Sequence, residues 1–112
     1  MSRTIPRAYV TAVWSKNRTT AEDEAKKYCN ELVKAGYMHV CPVLSFSGIF
    51  DPNDPDAAKK LREMSIDDLK RARILVVCGD KRNADVMEDV SIAKAAKVSY
   101  TTLKGITDLL DT

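Results

Sequence analysis

The sequence lacks the features that mark membrane proteins, disulfide-rich secreted proteins and zinc proteins. Its longest uncharged apolar run, Ile74–Cys78, has five residues, whereas a membrane-spanning helix needs about 20. The three cysteines cannot all pair and form no C-x-x-C, so neither a disulfide framework nor a zinc site is indicated. The first residues have no signal-peptide character. We therefore expect a cytoplasmic protein with reduced thiols, no metal and no membrane contact.

The common cofactor and nucleic-acid signatures are also missing. There is no G-x-G-x-x-G, no G-x-x-x-x-G-K-[ST] and no H-E-x-x-H, which disfavours dinucleotide dehydrogenases and P-loop enzymes. The net charge is only +2, with both signs scattered along the chain, so no basic stripe for polymeric nucleic acid is predicted. We expect no cofactor. A small anion such as a nucleotide phosphate needs only a few local donors and stays possible.

What the sequence does contain is a regular alternation of strands and helices over 112 residues, which we interpret as one domain, 1–112. The expected strands are 8–14, 37–44, 73–78 and 98–102, and the expected helices are about 20–35, a second from residue 55, 84–96 and 103–110. Pro42 places the second strand at an edge, since proline removes a backbone donor, and the aliphatic third strand is central. This order predicts an α/β fold with a mainly parallel, two-sided sheet of four to five strands.

The candidate site follows from this topology, because ligands of open parallel sheets lie beyond the carboxyl ends of the strands. The loops there offer aromatic surface, hydroxyls, cations and carboxylates, a combination that suits a nucleotide. The ligand-contacting residues that we expect are Ala12, Val13, Trp14, Ser15, Lys16, Arg18, Phe46, Ser47, Ser65, Gly79, Asp80 and Asp85. Trp14 is equally compatible with capping the core, and lysines and arginines in loops are most often solvated.

Acidic residues in the third long helix are a further candidate. Val86, Val90 and Ala93 are predicted to face the core, which puts Asp89 and Asp85 on an adjacent face that could border a ligand. Solvated carboxylates are the plainer interpretation.

Several segments in this order resemble the nucleoside 2-deoxyribosyltransferase-like superfamily over about residues 8–100. They are Tyr9-Val10-Thr11-Ala12-Val13-Trp14, Ala35-Gly36-Tyr37, Cys41-Pro42-Val43-Leu44-Ser45-Phe46, Asp51-Pro52-Asn53-Asp54-Pro55 and Arg71-Ala72-Arg73-Ile74-Leu75-Val76-Val77-Cys78-Gly79. The similarity is greatest to a small bacterial and phage branch related to 2′-deoxynucleoside 5′-phosphate N-hydrolases. The resemblance implies a flavodoxin-like three-layer sandwich and chemistry at the bond between base and deoxyribose.

The resemblance also implies roles for individual residues. The family's catalytic Glu corresponds to Asp89, unless the alignment slips and Glu88 serves; its supporting Tyr corresponds to Tyr9; and its proton-handling Asp corresponds to Ser65. Asp85 replaces a family Gly. The Asp89 side chain is one methylene shorter than the family's Glu. The general acid is also missing at Ser65, and such an acid is typically worth about 10²–10⁴-fold in rate. Both differences argue against efficient cleavage.

Three hypotheses remain open at this point. The chain binds a nucleoside- or nucleotide-derived molecule without turnover, for example as a phage-type sponge for a nucleotide immune signal; or it is an N-glycosidase or deoxyribosyltransferase acting on a nucleoside or its 5′-monophosphate; or it is a structural oligomer with a vestigial pocket. Because relatives form dimers or larger rings, we expect a homodimer or larger homo-oligomer, with the apolar loop 46–50 as the contact.

Overall fold

A computed structural model describes residues 5–11, 18–45, 54–79 and 82–110, with the backbone alone at 18, 109 and 110. Strands and helices alternate along these residues. In chain order they are β1 (Arg7–Val10), α1 (Arg18–Lys34), β2 (Met38–Val40), α2 (Pro42–Ser45), α3 (Pro55–Arg71), β3 (Ile74–Val77), α4 (Ala84–Ala95), β4 (Ser99–Thr102) and α5 (Leu103–Leu110).

The four strands form one parallel sheet in the order β2-β1-β3-β4. Tyr9 of β1 lies opposite both Val40 of β2 and Leu75 of β3, and Leu75 in turn lies opposite Tyr100 of β4. β3 is therefore central and β2 is an edge strand, as the sequence predicts.

Two apolar clusters cover the two faces of the sheet, because successive strand residues point to opposite sides. On one face Ala8 and Val76 pack with Cys29 and Leu32 of α1 and with Ile106 of α5. On the other face the buried residues are Tyr9, Leu69, Leu75, Ala93 and Val98, which bring in α3 and α4. The predicted α/β fold, a three-layer sandwich around a parallel sheet, is confirmed.

Local signals set the ends of the helices. The Asp54 side chain accepts a hydrogen bond from the Asp56 N–H at 3.0 Å, and Pro55 occupies the first position of α3, so that Asp54 is an N-cap and the helix begins at the predicted residue 55. Asn83 caps α4 in the same way, at 2.9 Å from the Asp85 N–H. After α1, Gly36 has φ +90, a left-handed conformation that glycine adopts without a steric penalty.

The predicted second strand is wrong over its second half. β2 stops at Val40, and Pro42 begins α2 instead of lying in an edge strand. Proline fits both settings, since the first residue of a helix needs no N–H partner either. β1 likewise stops at Val10, earlier than predicted, whereas residues 12–14 lie outside the described part of the chain. No helix formed by the described residues combines the length and the apolarity that crossing a bilayer requires.

Candidate functional site

The topology places a crevice at the carboxyl ends of β1 and β3. β1 is the point where the strand order reverses, because α1 leads from it to β2 on one side while β3 lies on the other. Thr11 and Cys78 are the residues that directly follow these two strands. Side chains placed here can be reached from both faces of the sheet.

Thr11 ties the two strand ends together. Its hydroxyl donates to the Cys78 carbonyl at 3.1 Å and accepts from the Cys78 N–H at 2.9 Å, and both groups are buried. One side chain thus satisfies the two backbone groups of Cys78 just beyond the end of β3. The floor of the crevice is therefore fixed by hydrogen bonds between side chain and backbone.

Gly79 continues from this floor into a small hollow on the α1 side. It has φ +80, and the Tyr28 hydroxyl lies 3.5 Å from where a Cβ would stand. The hollow is about 20 Å³ and is lined by Thr11, Ala21, Glu24, Ala25, Tyr28, Val43, Cys78 and Gly79. Such a volume holds about one water molecule.

An ionic cluster occupies the opposite face of the sheet, between α3 and α4. Arg62 Nη1 lies 3.1 Å from Asp89 Oδ1, and Arg62 Nη2 lies 3.0 Å from Glu88 Oε1 as an ion pair without good hydrogen-bond angles. The Asp89 side chain is 0% exposed, the Arg62 side chain 23% and the Glu88 side chain 56%. One partly covered cation therefore contacts two carboxylates, and only that of Asp89 is fully buried.

Burial and charge act in opposite directions on Arg62. Burial alone would lower the pKa of its guanidinium, but the close contact with the Glu88 carboxylate and the charge of Asp89 raise the pKa above its ordinary value. Arg62 therefore stays a cation. The positive charge of Arg62 offsets the negative charge of the Asp89 carboxylate at the centre of the cluster.

Tyr9 completes this cluster from the sheet. Its side chain is fully buried, and burial raises the pKa of the phenol, with the Asp89 charge raising it further and Arg62 and the Ser65 hydroxyl opposing. No hydrogen bond of ordinary geometry joins the Tyr9 hydroxyl to any residue that the structure describes, and Ser65 Oγ instead donates to Leu61 O at 2.8 Å. Tyr9 is thus a protonated donor at neutral pH without a partner among those residues.

The structure brings three of the predicted residues, Tyr9, Ser65 and Asp89, into one buried cluster. The expectation that Asp89 lies beside the buried face of its helix is wrong: Asp89 lies within that face with Val86 and Ala93, and Val90 is less buried. Glu88 contacts this cluster through its ion pair with Arg62. Gly79 borders the hollow on the other side of the sheet. Asp85 is half-buried in the first turn of α4.

The other predicted contacts fall outside the described residues. They are Ala12, Val13, Trp14, Ser15, Lys16, Phe46, Ser47, Asp80 and the side chain of Arg18. The proposed oligomer contact, 46–50, lies there too.

Two residues of the cluster and the crevice were missed from the sequence. Arg62 is three residues before Ser65 and seven before Leu69, both buried, so helical spacing alone puts a cation on the apolar face of α3. A cation in that place is a signal for a buried carboxylate partner. Thr11 carried no such signal, since it lies in the middle of the predicted strand 8–14.

Metal-ligating groups do not converge within 5–11, 18–45, 54–79 and 82–110: no three His, Cys, Asp or Glu side chains there could hold an ion together. What the described geometry offers is a buried carboxylate paired with a guanidinium, a phenol donor and a small hollow.

The fold is similar to that of a 2-deoxyribosyltransferase from the psychrotolerant bacterium Bacillus psychrosaccharolyticus. The TM-score is 0.70 over 86% of this chain and 70% of that chain, at 8% sequence identity. At this identity the similarity establishes a common flavodoxin-like fold, and it supports the sequence resemblance at that level.

Among curated proteins, none is significantly similar in sequence. A family model does match: it covers residues 6–103, from the start of the sheet to the start of α5. The chain accordingly belongs to the family described as a domain of unknown function, DUF7768.

Proposed function

We propose that this chain binds a nucleoside or a nucleotide-derived small molecule at the carboxyl ends of β1 and β3 and cleaves it slowly or not at all. The observation that carries the proposal is the Arg62–Asp89 pair, in which a fully buried carboxylate lies 3.1 Å from a guanidinium. Asp89 is the residue to which the family resemblance assigns the role of nucleophile.

The pair argues against rapid cleavage of a glycosidic bond. A nucleophile must come within about 3–3.5 Å of the carbon that it attacks, and a carboxylate with no exposed surface reaches a sugar only after Arg62 withdraws. The Asp side chain is also one methylene shorter than the family's Glu, and a misplacement of about 1 Å can cost about 100-fold in rate. Binding without turnover fits both features.

The proposed ligand contacts lie in the loops that follow the strand ends. Trp14 and Phe46 would stack on the base, Lys16 and Arg18 would hold a phosphate at the start of α1, and Gly79 would let the backbone approach the sugar. The small hollow beside Gly79 supports this placement, since it leaves room there for a water or a hydroxyl.

A chain that holds such a molecule intact lowers its free concentration. This is the behaviour expected of a sponge for a nucleotide signal, and we propose this biological role for the non-cleaving case.

The test is to incubate the protein with deoxynucleosides, their 5′-monophosphates and NAD-derived signalling nucleotides, and to record thermal shifts and free base by chromatography. We expect at least one compound to raise the melting temperature and to be recovered intact after heat denaturation. If no compound in the panel shifts the melting temperature, nucleotide binding is refuted.

A second function, N-glycosidase or deoxyribosyltransferase, is favoured by one observation. The Tyr9 phenol lies close enough to Asp89 for that carboxylate to raise the pKa of the phenol, and it lacks a hydrogen-bond partner among the described residues, so it could orient the carboxylate once Arg62 has withdrawn from Asp89. Base release that is lost in Asp89→Asn and kept in Glu88→Gln would establish this alternative in place of simple binding.

A further inference from the structure

Two arginines stand side by side at the amino ends of the two inner strands of the sheet. Arg7 is the first residue of β1, Arg73 directly precedes β3, and the Arg73 N–H donates to the Arg7 carbonyl at 2.9 Å. Both residues are exposed. They lie at the opposite end of these strands from Thr11 and Cys78, so they are not part of the proposed nucleotide site.

Neither guanidinium has a counter-charge in the part of the chain that the structure describes. The side chains of Arg7 and Arg73 make no ion pair and no hydrogen bond with residues there. The side chains of Arg62, Arg71 and Arg82, in contrast, all have partners. Like charges on neighbouring strands repel each other and destabilise a sheet. An anion bound beside the two arginines would relieve this repulsion.

The end of α3 does not account for these two charges. The carbonyl end of a helix favours a nearby cation, but Lys70 and Arg71 already lie in the last turn of α3. Arg71 is in addition paired with Asp67 at 3.1 Å on the same helix. Arg7 and Arg73 are therefore cations beyond those that the last turn of α3 supplies for itself.

A groove of about 440 Å³ opens beside Arg73. It is lined by Pro6, Tyr37, Arg73, Ile74 and Ser99, which combine an aromatic ring, a guanidinium and a hydroxyl with apolar surface. Its volume lies within the range of about 300–1,000 Å³ that is typical of small-molecule sites. None of these five lining residues carries a carboxylate, so the lining attracts an anion instead of repelling it.

From this arrangement we propose that the groove binds a small molecule with an aromatic ring and one anionic group, a phosphate or a carboxylate. Tyr37 stacks on the ring, Arg73 binds two oxygens of the anion side by side, and Ser99 donates its hydroxyl. Arg7 adds positive charge from the neighbouring strand. This second site is independent of the proposed nucleotide site, because the two lie at opposite ends of the strands.

An NMR titration of the ¹⁵N-labelled protein tests both the binding and its place. The probes are phenyl phosphate and benzoate, with inorganic phosphate as the control without a ring and benzyl alcohol as the control without a charge. We expect at least one of the two aromatic acids to shift the amide signals of Tyr37, Arg73 and Ser99 at millimolar concentration and to leave those of Thr11 and Cys78 in place. The acid that binds more tightly distinguishes a phosphate ligand from a carboxylate ligand, and both controls should bind more weakly than that acid.

Arg73→Gln should weaken binding of the tighter acid by about tenfold or more, the loss expected for a charge-assisted hydrogen bond. Arg71→Gln is the matched control, since Arg71 is an exposed arginine two positions away that Asp67 already holds, and it should bind like the wild type. Circular dichroism checks that both variants are folded, and the wild-type titration stands without them. The proposal is overturned by signals in the groove that stay unchanged with both acids, by shifts confined to Thr11 and Cys78, by a control probe that binds as tightly as the acids, or by a folded Arg73→Gln with unchanged affinity.

Discussion

Arg62 Nη1 lies 3.1 Å from Asp89 Oδ1, so that a cation from α3 closes over a carboxylate of α4 that no solvent reaches. The two residues are 27 positions apart in the sequence, and their contact joins the two helices on one face of the sheet. The strength of this pair governs both the stability of that face and the availability of Asp89 to a ligand.

Removing the Arg62 cation should lower the free energy of unfolding. In Arg62→Met the Asp89 carboxylate is left buried without this charge partner, and breaking a buried pair in this way typically costs about 3–5 kcal/mol. Urea unfolding measures the change. Arg71→Met is the matched control, because the Arg71–Asp67 pair has the same 3.1 Å distance but side chains 76% and 59% exposed; it should lose less than about 1 kcal/mol. Equal losses in the two variants would contradict the burial argument.

Removing the Tyr9 hydroxyl should leave the stability at neutral pH unchanged or raise it. A buried hydroxyl without a hydrogen-bond partner carries a desolvation penalty of about 1–3 kcal/mol, so Tyr9→Phe should unfold at the same or a higher urea concentration than the wild type. If the hydroxyl serves the ligand, the variant binds more weakly while it is more stable. A clear loss of stability would show that the hydroxyl is satisfied in solution, for example by a water.

Removing the Thr11 hydroxyl tests the floor of the crevice. Thr11→Val keeps the shape of the side chain but leaves both backbone groups of Cys78 unpaired, and each buried unpaired group costs about 1–3 kcal/mol. Thr107→Val is the control, since the Thr107 hydroxyl donates to Lys104 O at 3.2 Å in an exposed setting. The urea concentration at the unfolding midpoint should be well below that of both the control and the wild type in Thr11→Val. The same midpoint for both variants would argue against the role of Thr11.

Stability should fall in alkaline solution. Burial raises the pKa of Cys78 from 9.0 to about 12, so between these values the unfolded chain releases a proton that the folded chain keeps. The contribution of Cys78 is complete below about pH 9 and is lost as the pH rises towards 12. Urea midpoints measured across this range should decline less steeply in Cys78→Ser. A slope unchanged by that substitution would remove Cys78 as a cause.

The features that the sequence predicts well are those that depend on neighbouring residues. The aliphatic run of β3 and the start of α3 at Pro55 each carry a local signal that no distant contact overrides. Pro42 failed as a guide because an edge strand and the first turn of a helix tolerate a missing N–H equally well.

The ionic cluster could not be predicted from the sequence for a different reason. Asp89 is spaced on its helix so that it falls within the buried face, yet sequence rules assign carboxylates to water. The distant Arg62, 3.1 Å from its carboxylate, offsets the charge that is buried there. A sequence without coordinates gives the spacing of residues along each helix, and it does not give the pairing of α3 with α4.

The brevity of the two outer strands has a consequence for self-association. β2 has three residues and is followed by Cys41-Pro42, and β4 has four and is flanked by Lys97 and Lys104. Short edges bordered by proline or lysine are poor templates for adding strands from another molecule. Copies of this chain should therefore meet through helices or loops, and concentrated solutions should resist the growth of intermolecular β-structure.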